Sequence, residues 1–147
     1  MGILTNIADG LDVSIPAAGN AITAYALGVV IGAPLIAVLS ARVSRTTLIV
    51  WLMGAYSVAN LISAFAPSLE LLIVGRFIAG LPHGVFFGVG AVIGTAIAGA
   101  DTRGYAMSIM LGGLTIANVV GVPVSSWIGQ NLGWRAAFIV VGALGLV

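Results

Sequence analysis

The sequence contains no cysteine and no lysine, and only 6% of its 147 residues carry a full charge, five arginines against four acids. Without cysteine there is neither a disulfide framework nor a thiolate metal site. A formal charge of +1 with no lysine supplies no basic field, so nucleic acid is not an expected partner. The chain also lacks a paired carboxylate, a Ser/His/Asp set and a metal-ligand cluster, and it has a single histidine. It is therefore not read as an enzyme, and neither a cofactor nor a metal is expected. The start "MGILTNIADGLDV" has no basic segment ahead of an apolar one, and Asn6 stands where a myristoylation motif places Ser or Thr. It reads as neither a signal peptide nor a lipid anchor.

What the chain has in excess is apolar surface. Hydrophobic residues make up 61% of it, and its mean hydropathy is +1.22. A soluble domain of this size has no interior large enough to hide that much. Four apolar runs, residues 20–39, 47–66, 71–98 and 105–128, reach the length of about 20 residues that a helix needs to span a bilayer. A fifth, residues 136–147, reaches the end of the chain after 12 residues. The runs lack period-two alternation and exceed a barrel strand's roughly 10 residues, so helices are expected. The breaks "SARVSRT", "PSLE", "GADTRG" and "GQNLGWR" are too short to recross the membrane, and neighbouring spans must be antiparallel. The expected fold is all-α: a polytopic transmembrane helical bundle forming one domain over residues 1–147, with the lipid bilayer as its surroundings.

Orientation follows from the arginines, since short cytoplasmic loops retain positive charge. Arg42 and Arg45 share one loop and Arg103 lies in another on the same side, whereas Asp9, Asp12, Glu70 and Arg135 lie opposite. Residues 40–46 and 99–104 are thus expected in the cytoplasm, and residues 1–19, 67–70 and 129–135 outside. An outside amino terminus and a cut-off fifth run together make the chain read as a piece of a longer protein.

Small residues mark the expected contact faces, because helices in lipid associate by close backbone approach. Gly28 and Gly32, Gly80, Gly84 and Gly88, and Gly90 and Gly94 recur at four-residue spacing, and Gly113, Ala117, Gly121, Ser125 and Gly129 form one stripe in the fourth run. Such faces serve helix packing, or a rocking motion during transport. Pro34, Pro82 and Pro123 lie inside runs, where each removes a backbone hydrogen bond.

Against this background the polar residues within the runs are informative. An arginine near the centre of a span costs about 2.5 kcal/mol or more. Arg76, six residues after Glu70, stands roughly 9 Å along the helix, in the outer third of the membrane. Either it snorkels outward or it faces an interior cavity. His83 lies seven residues on, on the same helical face, between Pro82 and Gly84. It either satisfies a freed carbonyl or serves as a proton-accepting or substrate-binding group. Asn118 either bonds a neighbouring helix or faces the cavity, and Tyr25 is a cavity residue or an interfacial anchor.

Four segments, "YALGVVIGAPLIAVLSARVSRTTL", "GRFIAGLPHGVFFG", "TRGYAMSIMLGGLTIANVVGVP" and "GWRAAF", occur in the order that resembles the amino-terminal half of a major facilitator superfamily transporter. Within it the chain is most similar to the drug/proton antiporter branch, that of arabinose-efflux-like permeases and chloramphenicol-efflux proteins. The resemblance implies a partial six-helix half of a twelve-helix fold, with the first helix and the second half missing. "AVLSARVSR" keeps Arg42 and Arg45 of the family's gating loop but has Ala37, Ala41 and Ser44 where two glycines and an aspartate are usual. "RFIAG" supplies Arg76 and Gly80 of the fourth family helix, whose arginine the family associates with proton coupling and substrate access. The run ending in Gly121 and Pro123 resembles the antiporter kink, with one residue inserted between glycine and proline.

The expected function is secondary active transport, as proton-coupled efflux of a small drug- or sugar-like molecule across the plasma membrane. The residues expected on the transport or proton path are Arg76, which the resemblance supplies, and His83, Asn118 and Tyr25, which their places in the apolar runs suggest. Expected partners are the small-molecule substrate and the missing second half, or a second copy. Alternatives are a truncated fragment that transports nothing, an assembly element, or a small pump that dimerises to complete its pathway.

Overall fold

Three serines begin three of the long helices. Ser14 caps α2 (Ile15–Leu39) by accepting a hydrogen bond from the Ala17 amide at 3.3 Å, with Pro16 in the first turn. Ser44 caps α3 (Arg45–Ala64) in the same way, taking the Thr47 amide at 3.2 Å while the two hydroxyls lie 2.6 Å apart. Ser68 precedes α4 (Leu69–Ala98) and accepts from the Leu71 amide at 3.4 Å. Each hydroxyl occupies one of the amides that a helix start leaves without a carbonyl. At Ser44 the residue that departs from the family's glycine therefore has a structural task.

The computed structural model describes residues 3–98 and 103–146, without the side chains of Ala98 and Arg103. Among these residues there are helices and turns and no strand. A seven-residue helix α1 (Leu4–Gly10) comes first. After α4 follow α5 (Arg103–Ile116), a π-helical turn (Ala117–Gly121), α6 (Val122–Asn131) and α7 (Trp134–Leu144). Four helical stretches, Ile15–Leu39, Arg45–Ala64, Leu69–Ile97 and Gly104–Asn131, are long and apolar enough to cross a membrane.

The chain thus adopts the all-helical, multi-span architecture that the apolar runs call for. Two details were not visible in those runs. Residues 1–19, read as an outer segment, contain α1, a turn in which Asp12 takes φ 53°, and the first residues of α2. Ile7 and Ala8 of α1 are buried in a cluster with Ala18, Ala21, Ala66, Leu72 and Trp134. The π-turn ends at Gly121, two residues before Pro123, whose ring removes a backbone donor, and a wider turn relieves the clash with the preceding carbonyls. Helix α2 runs unbroken through Pro34 and α4 through Pro82.

Glycine fixes how closely α2 and α4 cross. A Cβ added at Gly28 would fall on the Phe77 carbonyl, one at Gly32 on the Leu81 backbone, one at Gly80 on the Tyr25 carbonyl, and one at Gly84 would lie 2.8 Å from the Val29 carbonyl. These four are a true contact face, as their spacing predicts. Helices α3 and α7 meet in the same manner at Gly142, where a Cβ would stand 3.0 Å from Leu61 and 3.2 Å from the Ser57 carbonyl.

The stripe in the fourth span behaves differently. Nothing lies within 4 Å of a Cβ built at Gly113 or Gly121, and of its glycines only Gly129 meets a neighbour, Ile3. From Gly104 to Ile128 no residue is fully buried. This span touches other helices near its ends. Gly90 and Gly94 of α4 face Met110 and Ala106 of α5, and α6 packs on α7.

The two ends of the bundle differ in charge. At one end Arg135 donates to the Ala66 carbonyl at 3.1 Å and stacks on Trp134 at 4.2 Å, and Trp134 in turn covers Gly10. The turns before α2, α4 and α7 are therefore gathered there, together with Asp9, Asp12 and Glu70. The turn between α2 and α3, with Arg42 and Arg45, lies at the other end. Of the second arginine-bearing segment, 99–104, residues 99–102 lie outside the described residues.

Candidate functional site

Helix α4 presents Arg76 inward rather than to lipid. Its guanidinium lies 4.3 Å from the Tyr25 ring of α2 and 5.3 Å from the Phe138 ring of α7, and Nη1 donates to Asn60 Oδ1 of α3 at 3.3 Å. The cation rests on two ring faces and one amide oxygen. Both kinds of contact stabilise positive charge away from water. Asn60 is almost fully enclosed, and its Nδ2 donates to the Tyr56 carbonyl at 2.8 Å, which turns the amide oxygen toward Arg76.

These groups wall a cavity of about 210 Å³ between α1, α2, α3, α6 and α7. Tyr56, Asn60, Arg76 and Phe138 lie on its surface, and Ser125 of α6 faces it. Two serines of α3 are turned onto their own helix: Ser57 bonds the Met53 carbonyl and Ser63 the Ala59 carbonyl, each at 2.9 Å. Such back-bonding removes their hydroxyls from competition for the guanidinium.

His83, two turns along α4, stands among rings. Its centroid is 5.5 Å from Tyr25, 6.2 Å from Tyr56 and 5.1 Å from Phe87. Tyr25 and Phe87 meet it edge-on, a favourable geometry for rings. The surroundings of His83 are thus an aromatic enclosure. A second cavity, about 230 Å³, is lined by His83, Tyr56, Phe86, Phe87, Pro82, Leu52 and Met53. Tyr56 borders both cavities.

The structure thus brings together Arg76, His83 and Tyr25 and leaves Asn118 apart. Asn118 is exposed on the π-turn, where its Nδ2 donates to the Leu114 carbonyl of its own helix at 3.0 Å. Gly121 and Pro123 are exposed on the same span. Arg42 is exposed in the turn before α3, and Arg45 lines a third cavity, about 430 Å³, with Ala37, Ala41, Ser40 and Gly84 at that end of the bundle. Ala37 and Ala41 are two of the positions that depart from the family's loop pattern. Tyr56, Asn60 and Phe138 were missed by sequence reasoning. The signal for two of them was present: Tyr56, Asn60 and Ser63 recur at the i, i+4, i+7 spacing of one helical face in an apolar run.

Among the described residues no group of three histidine or acidic side chains is placed to hold a metal. Asp9, Asp12 and Glu70 all lie at one end of the bundle and are exposed.

An inward arginine in a multi-span helical bundle is a feature of membrane transporters, and comparison with known proteins agrees. The profile of the Major Facilitator Superfamily matches residues 1–147, and the chain belongs to that superfamily. It is 42% identical over its full length to the inner membrane transport protein YdhP of Escherichia coli (strain K12), of which it covers 38%. It is 43% identical, again over its full length, to the MFS-type transporter YtbD of Bacillus subtilis (strain 168), of which it covers 37%. It is 35% identical to the chloramphenicol resistance protein of Streptomyces lividans over 93% of the chain and 35% of that protein. The chain therefore spans well under half the length of these relatives.

Proposed function

We propose that the chain forms part of a secondary transporter of the plasma membrane that exports a small molecule in exchange for protons, with Arg76 on the wall of the translocation path. The observation that carries this reading is the guanidinium held inside the bundle by Tyr25, Phe138 and Asn60 beside an open cavity. A charge placed in a membrane interior at a cost, facing a cavity, marks a pathway more readily than a scaffold. In such folds the substrate site lies between repeats near the midplane, and rocking exposes it to each side in turn. The name of a Helicobacter acinonychis relative, a probable sugar efflux transporter, supports export as the direction. The exposed fourth span, with Gly113, Ala117 and Gly121 on its surface, supplies the face for the remaining half of the transporter. The antiporter-type kink is assigned to the π-turn with Gly121 and Pro123, and the gating loop to Arg42 and Arg45.

The test is a chimera in which residues 1–147 replace the matching segment of the Streptomyces chloramphenicol resistance protein. Energised cells carrying it should accumulate less chloramphenicol than cells with an empty vector, and a protonophore should erase the difference. A chimera that inserts normally yet leaves accumulation at the vector level would overturn the transport reading. An active chimera indifferent to the protonophore would remove proton coupling.

Topology is open to a separate check. A cysteine in place of Val43, chosen because Ser44 caps α3, should resist an impermeant thiol reagent added outside intact cells. One in place of Leu132 should react. The chain has no native cysteine to confuse the result. The reverse labelling pattern would invert the orientation.

A further inference from the structure

We infer that the site takes a small aromatic organic anion, its carboxylate on Arg76 and its ring in the cavity that Arg76 lines with Tyr56 and Phe138; this rests on the transport reading for its place in a cycle, not for the binding itself. The argument starts from charge. Among the described residues Arg76 has no carboxylate partner, and the acids Asp9, Asp12 and Glu70 stand exposed at the end of the bundle. Its compensation is one amide oxygen at 3.3 Å and two ring faces. A guanidinium has five donors in a planar fork, and the fork matches a carboxylate in bidentate geometry. A buried cation lacking an anion is the half of an ion pair that a ligand completes.

The second part of the argument is shape. Tyr25 presents its ring to Arg76 at 4.3 Å and to His83 at 5.5 Å, so one ring contacts both the guanidinium and the imidazole. Tyr56 and Phe138 each present a ring to the cavity beside Arg76. Ile7, Ala18, Ile22 and Val141 also line that cavity, which favours a flat apolar body. A cationic ligand would meet Arg76 with no acid among the described residues to offset it, and a neutral one would leave the fork unfilled. The site therefore selects for negative charge next to a ring.

The experiment uses fluorine NMR on the chain in phosphatidylcholine nanodiscs, with 4-fluorobenzoate, 4-fluorobenzyl alcohol and 4-fluorobenzylammonium as probes. Saturable binding of the benzoate, at least tenfold tighter than either of the others, is expected. Equal affinity for all three, or no saturable benzoate binding, overturns the inference without needing any variant. Asn60→Asp places a carboxylate against Arg76 and should weaken benzoate binding by tenfold or more, and so should Arg76→Gln. Both variants are first checked for wild-type helical content. Unchanged benzoate affinity in a folded Asn60→Asp chain also overturns it. The two readings separate cleanly: benzoate selectivity with an inactive chimera sinks transport alone, and an active chimera with no anion preference sinks this inference alone.

Discussion

Arg76→Ala should abolish most transport while leaving the protein in the membrane. Removing the guanidinium takes away a charged donor at the cavity wall, and a hydrogen bond to a charged group is worth about 1.5–3 kcal/mol, so the fall in transport should be roughly ten- to a hundredfold. Insertion should not suffer, because an arginine within a span opposes insertion and alanine does not. Asn60 keeps its bond to the Tyr56 carbonyl, and Tyr25 keeps its contact with His83, so the local frame survives the change. Arg76→Lys divides charge from geometry. Lysine retains the cation but not the planar fork that stacks on Tyr25, and activity between wild type and alanine is expected. The measurement is efflux from energised vesicles carrying the chimera, normalised to inserted protein. Wild-type efflux in the alanine variant would take Arg76 out of the pathway and return it to a packing role.

Much of the architecture was legible because lipid imposes a simple rule on sequence: long apolar runs become helices, and short breaks make neighbours antiparallel. Arg76 and His83 stood out for the same reason, as costly residues within such runs. Their partners were harder to see. The spacing of Tyr56, Asn60 and Ser63 marks a helical face but not what it meets, and the bond from Arg76 to Asn60 crosses helices over sixteen residues of sequence. Phe138 comes from α7, farther still. Asn118 differs in kind. An amide in a span attracts attention wherever it falls, but here the π-turn lets its side chain bond its own helix, and the face it shares is exposed. The amino-terminal segment was read by its polarity, and α1 is a single short amphipathic piece whose burial depends on Trp134, a residue far along the chain. Spacing alone also could not tell a glycine stripe that is packed from one that is bare. Gly80 and Gly113 look alike in sequence, and only the position of α2 makes the first a contact.

That difference leads to the largest expected effect on stability. Gly80→Val should destabilise the bundle strongly, because even the first carbon of the new side chain would fall on the Tyr25 carbonyl, with the Gly28 Cα 3.0 Å away. Backbone offers no rotamer by which to yield, so α2 and α4 must separate, and that crossing also carries Tyr25 and Arg76. Overpacking of this kind costs typically about 1–3 kcal/mol, and the upper end is expected where both sides of the contact are main chain. Gly28→Ala and Gly32→Ala should follow in the same direction, since their Cβ atoms meet the Phe77 and Leu81 backbone. Gly88→Ala and Gly113→Ala form the control. Neither Cβ meets anything within 4 Å, and alanine is the better helix former, so these variants should hold or gain up to about 1 kcal/mol. Unfolding in mixed micelles, followed by circular dichroism as denaturing detergent is added, reads both groups on one scale. If Gly80→Val and Gly113→Ala unfolded at the same detergent fraction, the close crossing of α2 and α4 would be wrong, and with it the placement of Tyr25 against the guanidinium.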